Sequence, residues 1–353
     1  MAQEEKNTTD SALENITVHL EKEQNKITID DVAEALGVSK TTVSRAISGK
    51  GRISEGTRQR VMEYIKRYHY RPNVVAKGLA NSKTYNIGWV IPGDSGLTDL
   101  PFFQRCMIGV SEVAMAEDYD ILISMVFERD ISQLKRIVKN RKVDGVIVGR
   151  TLVKDEGVSY LKESGMPFVV IGSSMVEDVI QIDNDHINAC RELTSILRIK
   201  GIKSFALIGG GMNQVVNQTR YQGFELGLQE QGAAVSQSRV YMDCESEQSV
   251  EHAVEECIRG KVECIVCTDD KICQYVLNKL AQDGIDIPGQ VKVASFYNSA
   301  ILDNYHPSIT SLQYDPKELG TVACKTLFDY ISGKEVQRKR LLGYEMILKG
   351  STQ

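Results

Sequence analysis

The sequence predicts a small all-α module followed by a larger α/β body, in which parallel, doubly wound sheets form two lobes. Three observations carry this. Charge is partitioned: residues 26–86 hold twelve basic and five acidic residues, net +7, whereas residues 1–25 are net −4 and the remainder net −8. Between residues 27 and 70, apolar residues recur at helical spacing in short stretches that open on Thr or Ser. From Tyr85 onward, short apolar runs alternate with amphipathic stretches, the pattern of parallel sheets covered on both faces.

Length and composition bound the answer. A chain of 353 residues with 42% hydrophobic and 25% charged residues allows two or three ordinary domains of roughly 100–200 residues. Disorder throughout, a collagenous repeat and a disulfide-stapled miniature are excluded. No apolar run approaches the ~20 residues of a membrane span, and the opening MAQEEKNTTD is polar and acidic rather than a signal peptide. A cytoplasmic location is therefore expected, with the eight cysteines as reduced thiols. Cys264 and Cys267 have the spacing of a zinc knuckle. They lie in the apolar run CIVC, however, where strand alternation sends residues three apart to opposite faces. Buried free thiols are expected, and no metal.

Residues 1–25 read as a disordered tail. The basic module, 26–72, reads as three helices. Thr28 with Asp31 resembles a capping box that opens the first, whose inner face is Val32, Ala33 and Leu36 and whose stop is Gly37. Ser39 caps the second, with Val43, Ala46 and Ile47 inward and Lys40, Thr41, Ser44 and Arg45 outward. Ser54 caps the third, with Val61, Ile65 and Tyr68 inward. Residues 73–84 form a hinge and linker. Gly78 and two valines weaken the helical spacing of NVVAKGLA, so this segment is mostly unfolded alone.

In the body, the strand-like runs are NIGWVIP, DILISMV, DGVIVGR, PFVVIG, SFALIGG, CIVCTDD and VKVASFY. Helical stretches are read at 104–117, 131–141, 186–199, 218–231, 247–258, 271–282 and 316–331. Seven strands exceed one comfortable core, so two lobes are expected. The first comprises about 85–183 plus 314–332 and the second about 184–313 plus 333–353, with ligands bound where strand ends meet.

The stretch ITIDDVAEALGVSKTTVSRAISGKGRISEGTRQRVMEYIKRYHYRPNVVAKGLA closely resembles the DNA-binding head of the LacI/GalR family of bacterial transcriptional regulators. The body resembles that family's effector domain, a two-lobed fold of the type I periplasmic-binding-protein kind, more weakly but collinearly. The resemblance implies a helix-turn-helix whose second helix enters the major groove. Lys40, Thr41, Arg45 and Arg52 would meet base edges, with Arg45 suited to a bidentate guanine contact. Thr28, Thr42, Ser44, Ser54, Thr57 and Asn73 would bond the DNA backbone. Residues 73–80 match the family's hinge helix, in which Leu79 would wedge between base pairs in the minor groove beside Ala76 and Lys77.

For the body, the resemblance implies an effector site. Arg220, in R-Y-Q-G-F, matches the family's ligand-binding arginine, and Asp269 in CTDD would accept bonds from sugar hydroxyls while Asp270 caps the next helix. The family's usual aspartate is replaced by Tyr297, and a second acidic position by Gly172. With those carboxylates gone, Arg105, Arg150 and Arg220 suggest an anionic sugar, against which Phe103, with Phe102, would stack.

The expected function is a sequence-specific regulator, a repressor of carbohydrate-metabolism genes. It would bind a near-palindromic double-stranded DNA operator as a homodimer under a small sugar or sugar-derived effector. The expected location is cytoplasmic and nucleoid-associated, with no membrane partner. A periplasmic-type sugar-binding protein without catalytic activity is the alternative. An enzyme is not expected: Gly209–Gly211 follows a strand without a phosphate-loop motif, and the five histidines form no triad or metal spacing. No catalytic residue or cofactor is assigned. No heptad follows Lys349, which favours a dimer over a tetramer.

Overall fold

The computed structural model describes residues 27–49, 51–70, 78–79, 81–93, 100–230 and 238–353. The expected tail 1–25 and the hinge positions Asn73, Ala76 and Lys77 lie outside them. The contacts divide the chain into two units, Met1–Lys83 and Thr84–Gln353.

In the first unit, α1 is Ile29–Leu36, α2 Lys40–Ser48 and α3 Glu55–Arg67. Each starts where a hydroxyl satisfies an orphan amide. Thr28 closes a reciprocal capping box with Asp31, Ser39 accepts from the Thr42 amide, and Ser54 accepts from the Thr57 amide. Gly37 ends α1 in the left-handed region, φ 63°. Val32, Ala33, Val43, Ala46 and Val61 form the core. Tyr68, expected inward, is exposed and packs on Tyr64 with ring centroids 4.4 Å apart. Helix α3 ends at Arg67, His69 reverses the chain at φ 51°, and Tyr70 fills the core place instead.

The second unit contains two six-stranded sheets. The first sheet is built from β1 (Asn86–Pro92), β2 (Asp120–Val126), β3 (Gly145–Val148), β4 (Phe168–Ile171), β5 (Gln181–Asn184) and β11 (Lys339–Leu342), in the order β11-β5-β4-β3-β1-β2. The second contains β6 (Phe205–Ile208), β7 (Arg239–Tyr241), β8 (Cys264–Cys267), β9 (Lys292–Ser295), β10 (Thr310–Gln313) and β12 (Glu345–Ile347), in the order β12-β10-β9-β8-β6-β7. All pairs are parallel except β10 with β12. The intervening helices are α4 (Leu100–Ala116), α5 (Ser132–Lys139), α6 (Glu156–Ser164), α7 (His186–Ile199), α8 (Val215–Glu230), α9 (Glu247–Arg259), α10 (Asp270–Gln282) and α11 (Pro316–Ile331).

Helices on both faces explain the continuous apolar strands. In β3, Val146 and Val148 enter one core cluster and Ile147 the other. In β8, Cys264 and Cys267 enter opposite clusters, which separates the two thiols of the zinc-like spacing.

All seven expected runs are strands. The five short strands β5, β7, β10, β11 and β12, and helix α6, were not expected. Residues 339–342, assigned by sequence to the second lobe, are β11, which pairs with β5 in the first. The chain therefore passes between sheets three times, at 184–186, 313–316 and 342–345. Among the described residues no helix is long and apolar enough to cross a membrane.

Candidate functional site

The outer face of α2 carries side chains with no core role. Lys40, Thr41, Ser44 and Arg45 are exposed there, and Arg52 is exposed in the following loop. Lys40 Nζ stands 2.5 Å from Asp30 Oδ1, with both side chains more than half exposed. Such a pair is worth little and yields readily to another partner. Arg45 folds over Gly51, where a Cβ would lie 3.0 Å from its Cδ. Of the expected backbone contacts, Thr28 and Ser54 are the caps themselves. The Thr42 hydroxyl lies 2.9 Å from Ser39 Oγ, and that of Thr57 2.7 Å from Ser54 Oγ. These residues thus line helix N-termini, where phosphate is favoured. Leu79 is 86% exposed, so it is no core leucine.

In the second unit a cavity of about 480 Å³ lies between the lobes. Phe103, Arg150 and Asp183 line it from one lobe, and Arg220, Asp269 and Tyr297 from the other. The lobes also meet at its edge: the Val153 amide donates to the Asn213 carbonyl at 2.8 Å, and Asn213 Nδ2 donates to Glu128 Oε1 at 2.9 Å. Arg105 is exposed on α4 and is not a lining residue, although its charge, like that of Arg220, acts on the lining Tyr297.

The R-Y-Q-G-F motif places Arg220 through packing. A Cβ on Gly223 would stand 2.6 Å from the Ile187 carbonyl oxygen, so only glycine lets α8 lie this close to α7. Phe224 is fully buried, edge-on to Phe205 and Phe296. One turn before this wedge, Arg220 is held 92% buried, with its guanidinium over the Tyr297 ring and Nε without a hydrogen-bond partner. Phe102 meets Phe103 and Tyr297 edge-on at 5.3 and 6.1 Å, so the aromatic wall is also lobe packing.

Both aspartates line the cavity, but the helix cap is Asp269 rather than the expected Asp270. Asp269 is the N-cap of α10, accepting from the Ile272 amide at 2.9 Å. Asp270 turns into the cavity wall, 7% exposed, and accepts from the Ser299 hydroxyl. Burial, opposed by Ser299 and reinforced by Asp269, pushes the Asp270 carboxyl up to about 6.

Sequence reasoning missed the first crossover. Asp183, Asn184 and His186 are each more than nine-tenths buried and line the cavity. Asp183 accepts from Ser173 Oγ at 2.8 Å and the Asn184 amide at 2.8 Å, and lies 3.5 Å from His186 Nε2. Burial raises the Asp183 carboxyl despite these bonds. Burial, with help from Arg220, holds the His186 imidazole well below its ordinary value, hence neutral. The available signal was the polar run QIDND where an alternating pattern called for apolar residues.

Fold and sites together define a two-part protein: a helix-turn-helix module joined to a two-lobed domain that encloses a ligand-sized cavity. The chain belongs to the LacI family of bacterial transcriptional regulators. Residues 28–73 match the model of bacterial regulatory proteins of the lacI family, and 194–352 that of the periplasmic binding protein-like domain. The HTH-type transcriptional regulator MalR of Streptococcus pneumoniae serotype 4 is 30% identical over 336 residues, 92% of this chain and 99% of that protein. Catabolite control protein A of Staphylococcus aureus is 27% identical over 335 residues, 93% and 99% of the two chains. The lac repressor dimer bound to operator and the anti-inducer ONPF shares the fold at TM-score 0.77 and 20% identity, over 93% of this chain and 99% of that one. The CelR–cellobiose complex does so at 0.68 and 24%, over 92% and 100%.

Proposed function

We propose that this protein is a cytoplasmic repressor of carbohydrate-metabolism genes, binding a near-palindromic operator as a homodimer under control of a polyhydroxylated effector. The observation that carries this reading is one chain with both an outward α2 face free of core duties and a polar, aromatic-walled cavity between lobes joined by three crossovers. Lys40, Thr41, Arg45 and Arg52 read bases. Thr28, Thr42, Ser44, Ser54, Thr57 and Asn73 hold the backbone, and Ala76, Lys77 and Leu79 enter the minor groove. Ligand in the cleft biases the relation of the lobes and thereby the spacing of the two heads. The names of the relatives support this, one being a lac repressor dimer on operator and another a cellobiose complex.

A cavity of about 480 Å³ accommodates a mono- or disaccharide. Phe103 and Tyr297 supply faces for sugar rings, while Arg220, Asp269 and Asp270 serve hydroxyls. An anionic sugar, suggested by three arginines, loses part of its basis because Arg105 is not a lining residue.

Mobility-shift assays on the host's promoter fragments, with and without sugars at physiological salt, test the reading. One or a few fragments should be retained over random duplex, and a sugar should change their retention. Equal binding to all fragments under every condition would reject it.

A further inference from the structure

The outer face of α2 carries positive charge that its own surroundings leave largely unbalanced. Residues 40–52 contain four basic residues and no acidic one. Lys40, Arg45 and Arg52 are exposed there. The acids of the head, Asp30, Asp31, Glu34, Glu55 and Glu63, all belong to α1 and α3. Of these, Asp30 reaches Lys40, at 2.5 Å.

A segment of opposite sign stands directly ahead of this face in the chain. Residues 1–25 hold Glu4, Glu5, Asp10, Glu14, Glu21 and Glu23 against Lys6 and Lys22, net −4. The match to the lacI family begins only at residue 28, so this acidic stretch is additional to the matched head. Its attachment point is fixed. Ile27 packs on the core of the head, and Asp30, three residues further on, already touches the first residue of α2. Twenty-five residues span at most about 85 Å, so the whole outer face of α2 lies within reach. A tether of this length holds its carboxylates near that face at an effective concentration on the order of millimolar. Carboxylates along a chain offer the same cations what phosphates offer, at a lower charge density. Duplex therefore wins the face, but only by displacing what occupies it.

We infer that residues 1–25 dock on the outer face of α2 as an intramolecular substitute for phosphate, which DNA must displace in order to bind. This rests on the DNA-binding reading of that face above. Displacement costs the same for any duplex, so a duplex held by charge alone is lost first, and one whose bases are also read survives. The acidic segment thus trims weak, sequence-independent binding.

Fluorescence anisotropy with a short random-sequence duplex tests this on the full chain. A variant carrying Glu4→Gln, Glu5→Gln, Asp10→Asn, Glu14→Gln, Glu21→Gln and Glu23→Gln should bind about tenfold more tightly than wild type at low salt, the worth of a few exposed ion pairs. The gap should close as salt rises, because such pairs are screened. Changing six exposed glutamates of the second unit to Gln instead, Glu117, Glu163, Glu177, Glu247, Glu335 and Glu345, alters net charge equally and should move affinity by no more than about twofold. Carbodiimide joins only a carboxylate and an amine in contact. It should link acids of residues 1–25 to Lys40 or Lys50, and excess duplex should suppress the link. Equal affinity of wild type and the first variant, a gap matched by the second, or no link to α2 would overturn the inference. Failure of every protein to hold duplex at low salt would strike the DNA-binding reading, while the carbodiimide link would still decide whether the segment docks.

Discussion

The Arg220 guanidinium carbon lies 5.9 Å from the centroid of the Tyr297 ring. Tyr297 is in turn nearly parallel to Tyr314, 6.2 Å away, and Tyr314 meets His186 at 4.9 Å and Tyr344 at 6.5 Å. The cation therefore rests on an aromatic series that touches all three crossovers, and a ligand engaging Arg220 acts at the place where the lobes are joined.

Replacing Arg220 by Ala removes a charged donor, a loss of about 1.5–3 kcal/mol in ligand binding. Operator retention should persist but stop responding to sugar. Tyr297→Phe preserves the ring face and should change little, whereas Tyr297→Leu forfeits a cation–π contact of roughly 0.5–2 kcal/mol. Equal sugar titrations for all three proteins would contradict the assignment.

Gly223→Ala forces a methyl to within 2.6 Å of the Ile187 carbonyl and 2.7 Å of Cys190 Cβ. Neither is a flexible chain end, so α7 and α8 must part, at about 1–3 kcal/mol. Thermal unfolding should show a clear drop in Tm together with a blunted sugar response, because α8 carries Arg220. An unaltered Tm would mean that the helices are less closely seated.

Asp270 ties stability to pH in the sense opposite to a salt-bridged aspartate. Its folded carboxyl titrates near 6, against 3.8 for the free group, chiefly through burial. The folded state therefore favours the protonated form. Charging Asp270 costs stability above pH 6, and that cost is relieved as pH falls toward 4. Asp270→Asn should raise stability at pH 7.5 by an amount on the order of 2–3 kcal/mol at most. The gain should shrink steadily below pH 6 in denaturant titrations. A gain independent of pH would refute this account.

Arg45→Ala should weaken operator binding by roughly 1–3 kcal/mol and relax specificity at one base pair. Competition with single-base operator variants measures this; a uniform loss across all variants would reassign Arg45 to the phosphate backbone.

Leu79→Ala removes an 86% exposed side chain, so the free protein should keep its Tm. Operator bending and specific affinity should fall while nonspecific binding holds. Circular-permutation gel assays read the bend directly, and an unchanged bend would exclude the wedge.

Much of this protein is legible locally. The ranges expected for α7 and α11 coincide with their structural bounds, where Asp185 and Asp315 cap them. Apart from the edge strand β2, on which Ile123 and Met125 stand exposed, the strands legible in sequence are those covered on both faces. The polar strands QIDN, TSLQ and KRLL were not, because their pairing depends on a neighbour far along the chain. The same limit hid the crossover residues and left open that α4 presents Arg105 to solvent.

By itself, then, the sequence determined the head, its caps, its outward polar face and the alternating α/β rhythm, all governed by contacts within a few residues. Tertiary structure decided which lobe owns β11, which of Asp269 and Asp270 caps a helix, and which buried polar groups line the cavity. Those outcomes depend on pairings between segments distant in the chain, for which short-range spacing carries no information.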